Sequence, residues 1–191
     1  MLLAPMVARL RAQPNLRSVL RTALADVVSL HGAEFGNLQL RDSDGALLLV
    51  AHIRLPAPFL ASFRRVEAAE STVCARAARA GRTLVVSDVE TDREFAPFLA
   101  QAQQTRFRSV LSSPLATRRG MLVGVVSAHF ANPYRPTPVE IATLEGYTPV
   151  VAECIVEKVG GVDVAAVAAE LYDEILGRGA DPGGARGALS S

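Results

Sequence analysis

The chain has no tryptophan, only two cysteines and three histidines among 191 residues, and an aromatic share of 5%. Cys74 and Cys154 lie far apart. They offer no disulfide framework, so a reducing compartment, the cytoplasm, is expected. His31, His52 and His129 include no i, i+4 pair and no neighbouring cysteine, so the spacing shows no local metal motif. Excess charge is also missing. The formal net charge is +1, whereas a general nucleic-acid binder needs a clustered basic surplus to neutralise phosphates. Arg118 and Arg119 precede Gly120 and read as a solvated turn. No apolar run reaches the ~18 residues of a membrane span. The N-terminal stretch has no basic leading region and is interrupted by Pro5 and Pro14, unlike a secretory signal. A P-loop, a kinase motif, a G-x-G-x-x-G and a G-x-S-x-G elbow are all absent from the sequence, which removes the commonest phosphate-cradling and acyl-transfer signatures.

What is present describes an ordinary globular chain: 50% of residues are apolar and 20% charged, enough to form one domain with a real core. Leu16, Val19, Leu20, Leu24, Val27 and Val28 recur at helical spacing, with Asn15 placed as N-cap and Gly32 as stop, so a helix is expected over 15–31. Residues 35–41 alternate, Leu38 and Leu40 on one face and Asn37, Gln39 and Arg41 on the other. Asp42-Ser43-Asp44-Gly45 is turn chemistry, and 46–53 is a continuous apolar strand. Short helices are expected over 59–65 and 71–80, a strand over 82–88, a helix over 92–104, and a strand pair over 108–115 and 121–130. A long helix follows over 137–159, with Pro149 inside it as a kink. A further amphipathic helix is expected over 162–176, and a disordered Gly- and Ala-rich end after it. Tight turns make the neighbouring strands antiparallel, and terminal helices must then cover one face of the sheet.

Three segments carry a family resemblance: 35–51 (FGNLQLRDSDGALLLVA), 71–95 (STVCARAARAGRTLVVSDVETDREF) and 112–130 (SSPLATRRGMLVGVVSAHF). In order and spacing they resemble the GAF domain of bacterial two-component sensor proteins, over about residues 16–157. The resemblance implies an α+β, PAS-related fold. A central antiparallel sheet would carry terminal helices on one face and small helices over a ligand pocket on the other. The expected organisation is an N-terminal extension (1–14), the GAF domain (15–159), and a C-terminal helix and tail (160–191). Family members sense cyclic nucleotides, bilins, haem, gases or small metabolites, and some only dimerise. The cofactor is therefore left open. Implied partners are a small-molecule ligand, a signalling protein and a second copy of the chain, with neither nucleic acid nor membrane.

The candidate ligand-binding residues are Cys74, Asp88, Phe95, Phe98, Arg108, Ser112, Ser127 and His129. Cys74 near a helix start could have its thiol pKa lowered by the helix dipole, or could be a small buried hydrophobe. Cys154 reads as packing. Asp88 could accept from a ligand donor or simply cap a turn. Phe95 and Phe98, with Phe107, could stack on a planar ligand or fill the core. Arg108 could hold an anion or be solvated. Ser112, His129 and Asp88 can be written as a hydrolytic set, but no sequence context supports one. His129 shares a strand side with Val123, Val125 and Ser127, and which layer that side faces is open. Three functions follow: a non-enzymatic ligand-binding regulator, a ligand-free interaction module, and a cysteine-based methionine sulfoxide reductase. The last would require Cys74 and Cys154 within disulfide reach.

Overall fold

The computed structural model describes residues 2–179. Expectations about the last twelve positions lie outside the described residues. Six strands form one antiparallel sheet: β1 (Phe35–Arg41), β2 (Leu47–Ile53), β3 (Arg65–Val66), β4 (Leu84–Val86), β5 (Ser109–Ala116) and β6 (Leu122–Phe130), in the order β3-β2-β1-β6-β5-β4. The β1–β2 turn is closed by Asp42, whose Oδ1 accepts from Asp44 N at 3.0 Å and Ala46 N at 2.8 Å. β3, two residues long, was not legible as a strand.

One face carries α1 (Leu3–Arg11), α2 (Leu16–His31), α6 (Pro138–Val159) and α7 (Val164–Gly179). Both long helices begin as their sequences dictate. Asn15 accepts from Ser18 N at 3.0 Å while Ser18 Oγ receives Asn15 N at 3.3 Å. Thr137 and Glu140 make the same reciprocal box at α6. Such boxes satisfy amide donors that the first turn otherwise leaves open. The N-terminal stretch, expected only as an extension, is helical and buries Met6 and Leu10. Pro5 sits in its first turn, where the missing donor does no harm. α1 lies close against α6, since a Cβ on Gly146 would sit 2.9 Å from Leu3 Cδ2. Asp26, buried on α2, ties the three helices together. Tyr147 Oη donates to its Oδ2 at 2.6 Å, and Arg9 pairs with its Oδ1. α6 is one 22-residue helix with Pro149 inside it. At the end of the central strand β6 Phe130 stacks on Tyr134, centroids 3.9 Å apart, and Tyr134 Oη meets His31 Nδ1 at 3.0 Å.

The other face carries α3 (Ala57–Phe63), α4 (Val73–Ala80) and α5 (Leu99–Thr105), with a 3-10 turn over Ala96–Phe98. The single helix expected over 92–104 is only half formed. Asp92 Oδ1 takes the Phe95 amide at 2.8 Å, and Pro97 follows, so the first residues turn before α5 begins. Likewise the strand expected over 82–88 shortens to three residues, because Ser87 and Asp88 turn toward the next loop. The two faces hold two separate apolar clusters, one on each side of the sheet.

Candidate functional site

The pleat decides which side chains meet beneath α3, α4 and α5. Along β1 the apolar Leu38 and Leu40 point to the long helices. Asn37 and Gln39 point the other way, yet both are buried, Gln39 completely. Along β6 Val125, Ser127 and His129 share that face, which answers the question the sequence left open: His129 faces the small helices. Val123 does not share it and belongs to the long-helix cluster. The β5–β6 register shifts between Leu115↔Gly124 and Ala116↔Leu122. Val123 is the extra residue of that bulge, and a bulge reverses the alternation. Across the sheet β5 adds Val110 and Ser112.

These residues floor a cavity of about 30 Å³, roofed by Phe59 and Phe63 of α3, Thr72, Val73 and Cys74 of α4, and Phe95 and Phe107. That volume holds about one or two water molecules. The phenylalanines fill the rest as a connected cluster. Phe59 and Phe63 have centroids 4.7 Å apart, Phe59 and Phe107 6.1 Å, Phe95 and Phe98 5.9 Å, and Phe95 and Phe107 6.1 Å. Phe98 packs on Phe63 and Phe95 behind the lining.

The floor is polar. Ser112 Oγ and Ser127 Oγ are 2.8 Å apart and satisfy one another. Gln39 Nε2 reaches up to donate to the Phe63 carbonyl at 3.1 Å, leaving its Oε1 without a protein partner. His129 Nε2 meets Asn37 Oδ1 at 2.8 Å, while Nδ1 has no protein partner. With an amide oxygen opposite it, Nε2 carries the proton and Nδ1 presents a lone pair. Phe59 and Phe107 flank the imidazole at 5.1 and 4.9 Å. Burial among them pushes the His129 pKa down to about 3, so the ring is neutral at ordinary pH. The unfolded chain, with a histidine near ~6.5, then takes up a proton that the native state refuses. Stability present above ~6.5 is therefore lost as pH falls toward 3, by up to ~1.4 kcal/mol per pH unit. His31 and His52 are lowered by burial too and act with the same sign. His129→Gln is expected to flatten the acid limb of urea stability against pH. A limb parallel to wild type would refute a buried neutral imidazole.

The remaining sequence candidates divide. Cys74 does line the cavity, but its thiol is not activated. Burial pushes it up to about 11, outweighing the hydrogen bond from Thr72, which caps α4 in place of the expected Ser71. Iodoacetamide at pH 8 is expected to leave Cys74 unmodified while a free thiol of ordinary pKa ~8.5 is consumed, with labelling restored by guanidinium. Rapid native labelling seen by intact mass would contradict this. Cys154 is buried in α6 on the opposite side of the sheet, and both cysteines are free. Asp88 and Arg108 do not line the cavity. They pair with each other at 2.7 Å, Arg108 also reaching Glu90 at 3.1 Å. The guanidinium holds the Asp88 carboxyl below the usual carboxylate range. Ser112, His129 and Asp88 thus have three different partners and form no relay. Asn37 and Gln39 were missed. The signal available was their pleat phase, shared with Ser127 and His129 across the strand pair. Among the described residues no group of three His, Cys, Asp or Glu side chains could hold a metal ion. No helix among them is long and apolar enough to cross a membrane.

Three kinds of comparison bear on this geometry. The profile of the GAF domain family matches residues 13–156. None of the curated proteins matches the chain in sequence. Many solved structures match in fold. The GAF domain of a phosphoenolpyruvate-protein phosphotransferase from Coxiella burnetii is 16% identical with a TM-score of 0.69, covering 82% of this chain and 91% of its own. The free methionine-R-sulfoxide reductase of Neisseria meningitidis, in complex with its substrate, is 18% identical with a TM-score of 0.67, covering 84% and 90%. The chromophore-binding domain of a bacteriophytochrome from R. palustris is 14% identical with a TM-score of 0.60, covering 88% of this chain and 61% of its own.

Proposed function

The chain belongs to the GAF domain family, and from that premise we propose that it is a sensory or regulatory domain that takes a small molecule between the sheet and the roof formed by α3, α4 and α5. One observation carries the reading. Gln39 and His129 are buried beneath phenylalanines with an acceptor atom each lacking a protein partner. Every such atom costs about 1–3 kcal/mol. A layer serving only as core would be better filled by apolar side chains. A ligand that supplies the missing bonds recovers that cost when it binds.

The resting cavity of about 30 Å³ is too small for a metabolite, so binding requires the roof to move. α3 rests on the floor through Phe59, Phe63 and the Gln39–Phe63 hydrogen bond, and its C-cap Arg64 accepts from Leu49 N of β2 at 2.8 Å. A ligand that binds only the opened roof shifts the population toward it. The readout then passes to a partner protein or to a second copy of the chain across the long-helix layer. A cytoplasmic, two-component setting is the context we assign to it. Two of the structures similar in fold are named for what they hold, a chromophore-binding domain and a reductase with its substrate, which supports the use of this fold as a container.

The tight phenylalanine cluster favours a second reading, a ligand-free interaction module whose cavity is filled by its own side chains. Thiol-based reduction is disfavoured. A nucleophilic cysteine needs thiolate character, whereas burial raises both thiols and the sheet separates them. Native mass spectrometry of protein purified from its own host, repeated after denaturation, tests the reading. A mass excess lost on denaturation identifies a retained ligand and counts subunits. A bare mass under conditions that preserve a folded monomer or dimer favours the interaction module.

A further inference from the structure

Of the four buried side-chain atoms without a partner among the described residues, two belong to the cavity lining, and these have a chemistry in common. Gln39 Oε1 is a carbonyl oxygen, and His129 Nδ1 is the lone-pair nitrogen of an imidazole whose other nitrogen faces Asn37 Oδ1. Both are acceptors. They also lie at different ends of the floor. His129 stands opposite Phe35 on β1, four positions from Gln39, which is ~13 Å of strand at ~3.3 Å per residue. Between them is the mutually satisfied pair Ser112 and Ser127, and the lining around it is aromatic, with Phe59, Phe63, Phe95 and Phe107.

Charge is settled by the same surroundings. No Asp, Glu, Lys or Arg is among the described residues lining the cavity. Nearby cations are already engaged, Arg108 by Asp88 and Glu90, Arg76 by Asp92 and Glu94. Placing an ion here without a counter-charge would incur a desolvation cost that nothing offsets.

We infer that the ligand of this site is an uncharged, flat, elongated molecule carrying an N–H or O–H donor at each end, one for Gln39 Oε1 and one for His129 Nδ1. The inference rests on the sensor reading above and narrows it to a ligand class. Its ring would replace roof phenylalanine contacts, and its donors would satisfy the two acceptors. Carboxylates and phosphates are excluded as the part of a ligand that enters the cavity.

The test uses three probes that share one indole ring on the full chain: 5-hydroxyindole, with a donor at each end; 5-methoxy-1-methylindole, with none; and indole-5-carboxylate, an anion. Each is titrated into wild type and into Phe59→Leu, which loosens the roof without emptying it, while β1 and β6 amides are followed by two-dimensional NMR. 5-Hydroxyindole should move the amides around Gln39 and His129 and bind at least ~10-fold more tightly than the other two, the loss expected for unsatisfied buried acceptors. Gln39→Leu and His129→Leu should each erase most of that preference. Equal binding of the methylated probe, or tighter binding of the carboxylate, overturns the ligand class but leaves a small-molecule site. If no probe binds while the native mass reveals a retained ligand, the class again falls and the sensor reading stands. If no probe binds and no mass is retained, both fall.

Discussion

Replacing Gly124 by alanine is expected to abolish folding. An added Cβ would lie 2.1 Å from the Gln39 carbonyl oxygen and 3.1 Å from Leu40 Cα. Both are backbone atoms of β1, paired with β6 through Gln39↔Val125 and Leu40↔Gly124. A flexible side chain could swing aside, but a carbonyl inside a ladder cannot move without parting the two central strands. The position also adjoins the bulge at Val123, so the local backbone has little slack. The cost should exceed ~4 kcal/mol, a large fraction of the ~5–15 kcal/mol by which a domain is stable. Soluble yield and a far-ultraviolet circular dichroism melt read the result. A G124A protein that unfolds in urea within ~1 kcal/mol of wild type would show that β1 and β6 are not apposed as described.

The second large effect is expected at Asp26. This carboxylate is buried between α2 and α6, accepting from Tyr147 Oη at 2.6 Å and pairing with Arg9, which is half exposed on α1. Its negative charge also helps hold the Tyr147 hydroxyl proton in place, raising that pKa alongside burial. Asp26→Ala leaves the fully buried Tyr147 hydroxyl without its acceptor and detaches Arg9. Leaving a buried donor unpaired costs ~1–3 kcal/mol, and the bonds to the carboxylate add to it, for a loss of about 3 kcal/mol in urea stability. Tyr147→Phe should cost less, since Arg9 still serves the carboxylate. The double variant should cost less than the sum of the singles, because the second change removes a group the first has orphaned. Strict additivity would mean that the two side chains do not interact.

The fold was largely written in the periodicities. The α2 stripe with its Asn15 cap, the alternating β1 strand and the apolar β5–β6 pair around its Gly120 turn lead to the observed layers, since period, capping and turn chemistry are local properties. The segments that escaped are those decided at a distance. α1 becomes a packed helix because α6 offers Gly146 and α2 offers Asp26. β3 exists because β2 offers it an edge. The candidate site was legible on β5 and β6, where Ser112, Ser127 and His129 stand out as polar residues within apolar strands. It was illegible on β1, where Asn37 and Gln39 look like the wet side of an amphipathic strand. Only the roof turns that side into an interior, and the roof is assembled from helices remote in sequence. Asp88 and Arg108 misled for the opposite reason. Each is plausible alone, and their mutual pairing could not be read without the geometry.

The contact from Phe130 through Tyr134 to His31 has an optical consequence. The chain has three tyrosines and no tryptophan. Tyr134, Tyr147 and Tyr172 all pack with the long-helix apolar cluster, and none of them lines the cavity. Their emission therefore samples one side of the sheet only. Tyr134 is the closest of these emitters to the cavity along the chain, since it stacks on Phe130, the neighbour of His129. A change in tyrosine fluorescence on filling the cavity would thus record strain carried through β6, and a silent signal would mean that the sheet insulates its two faces.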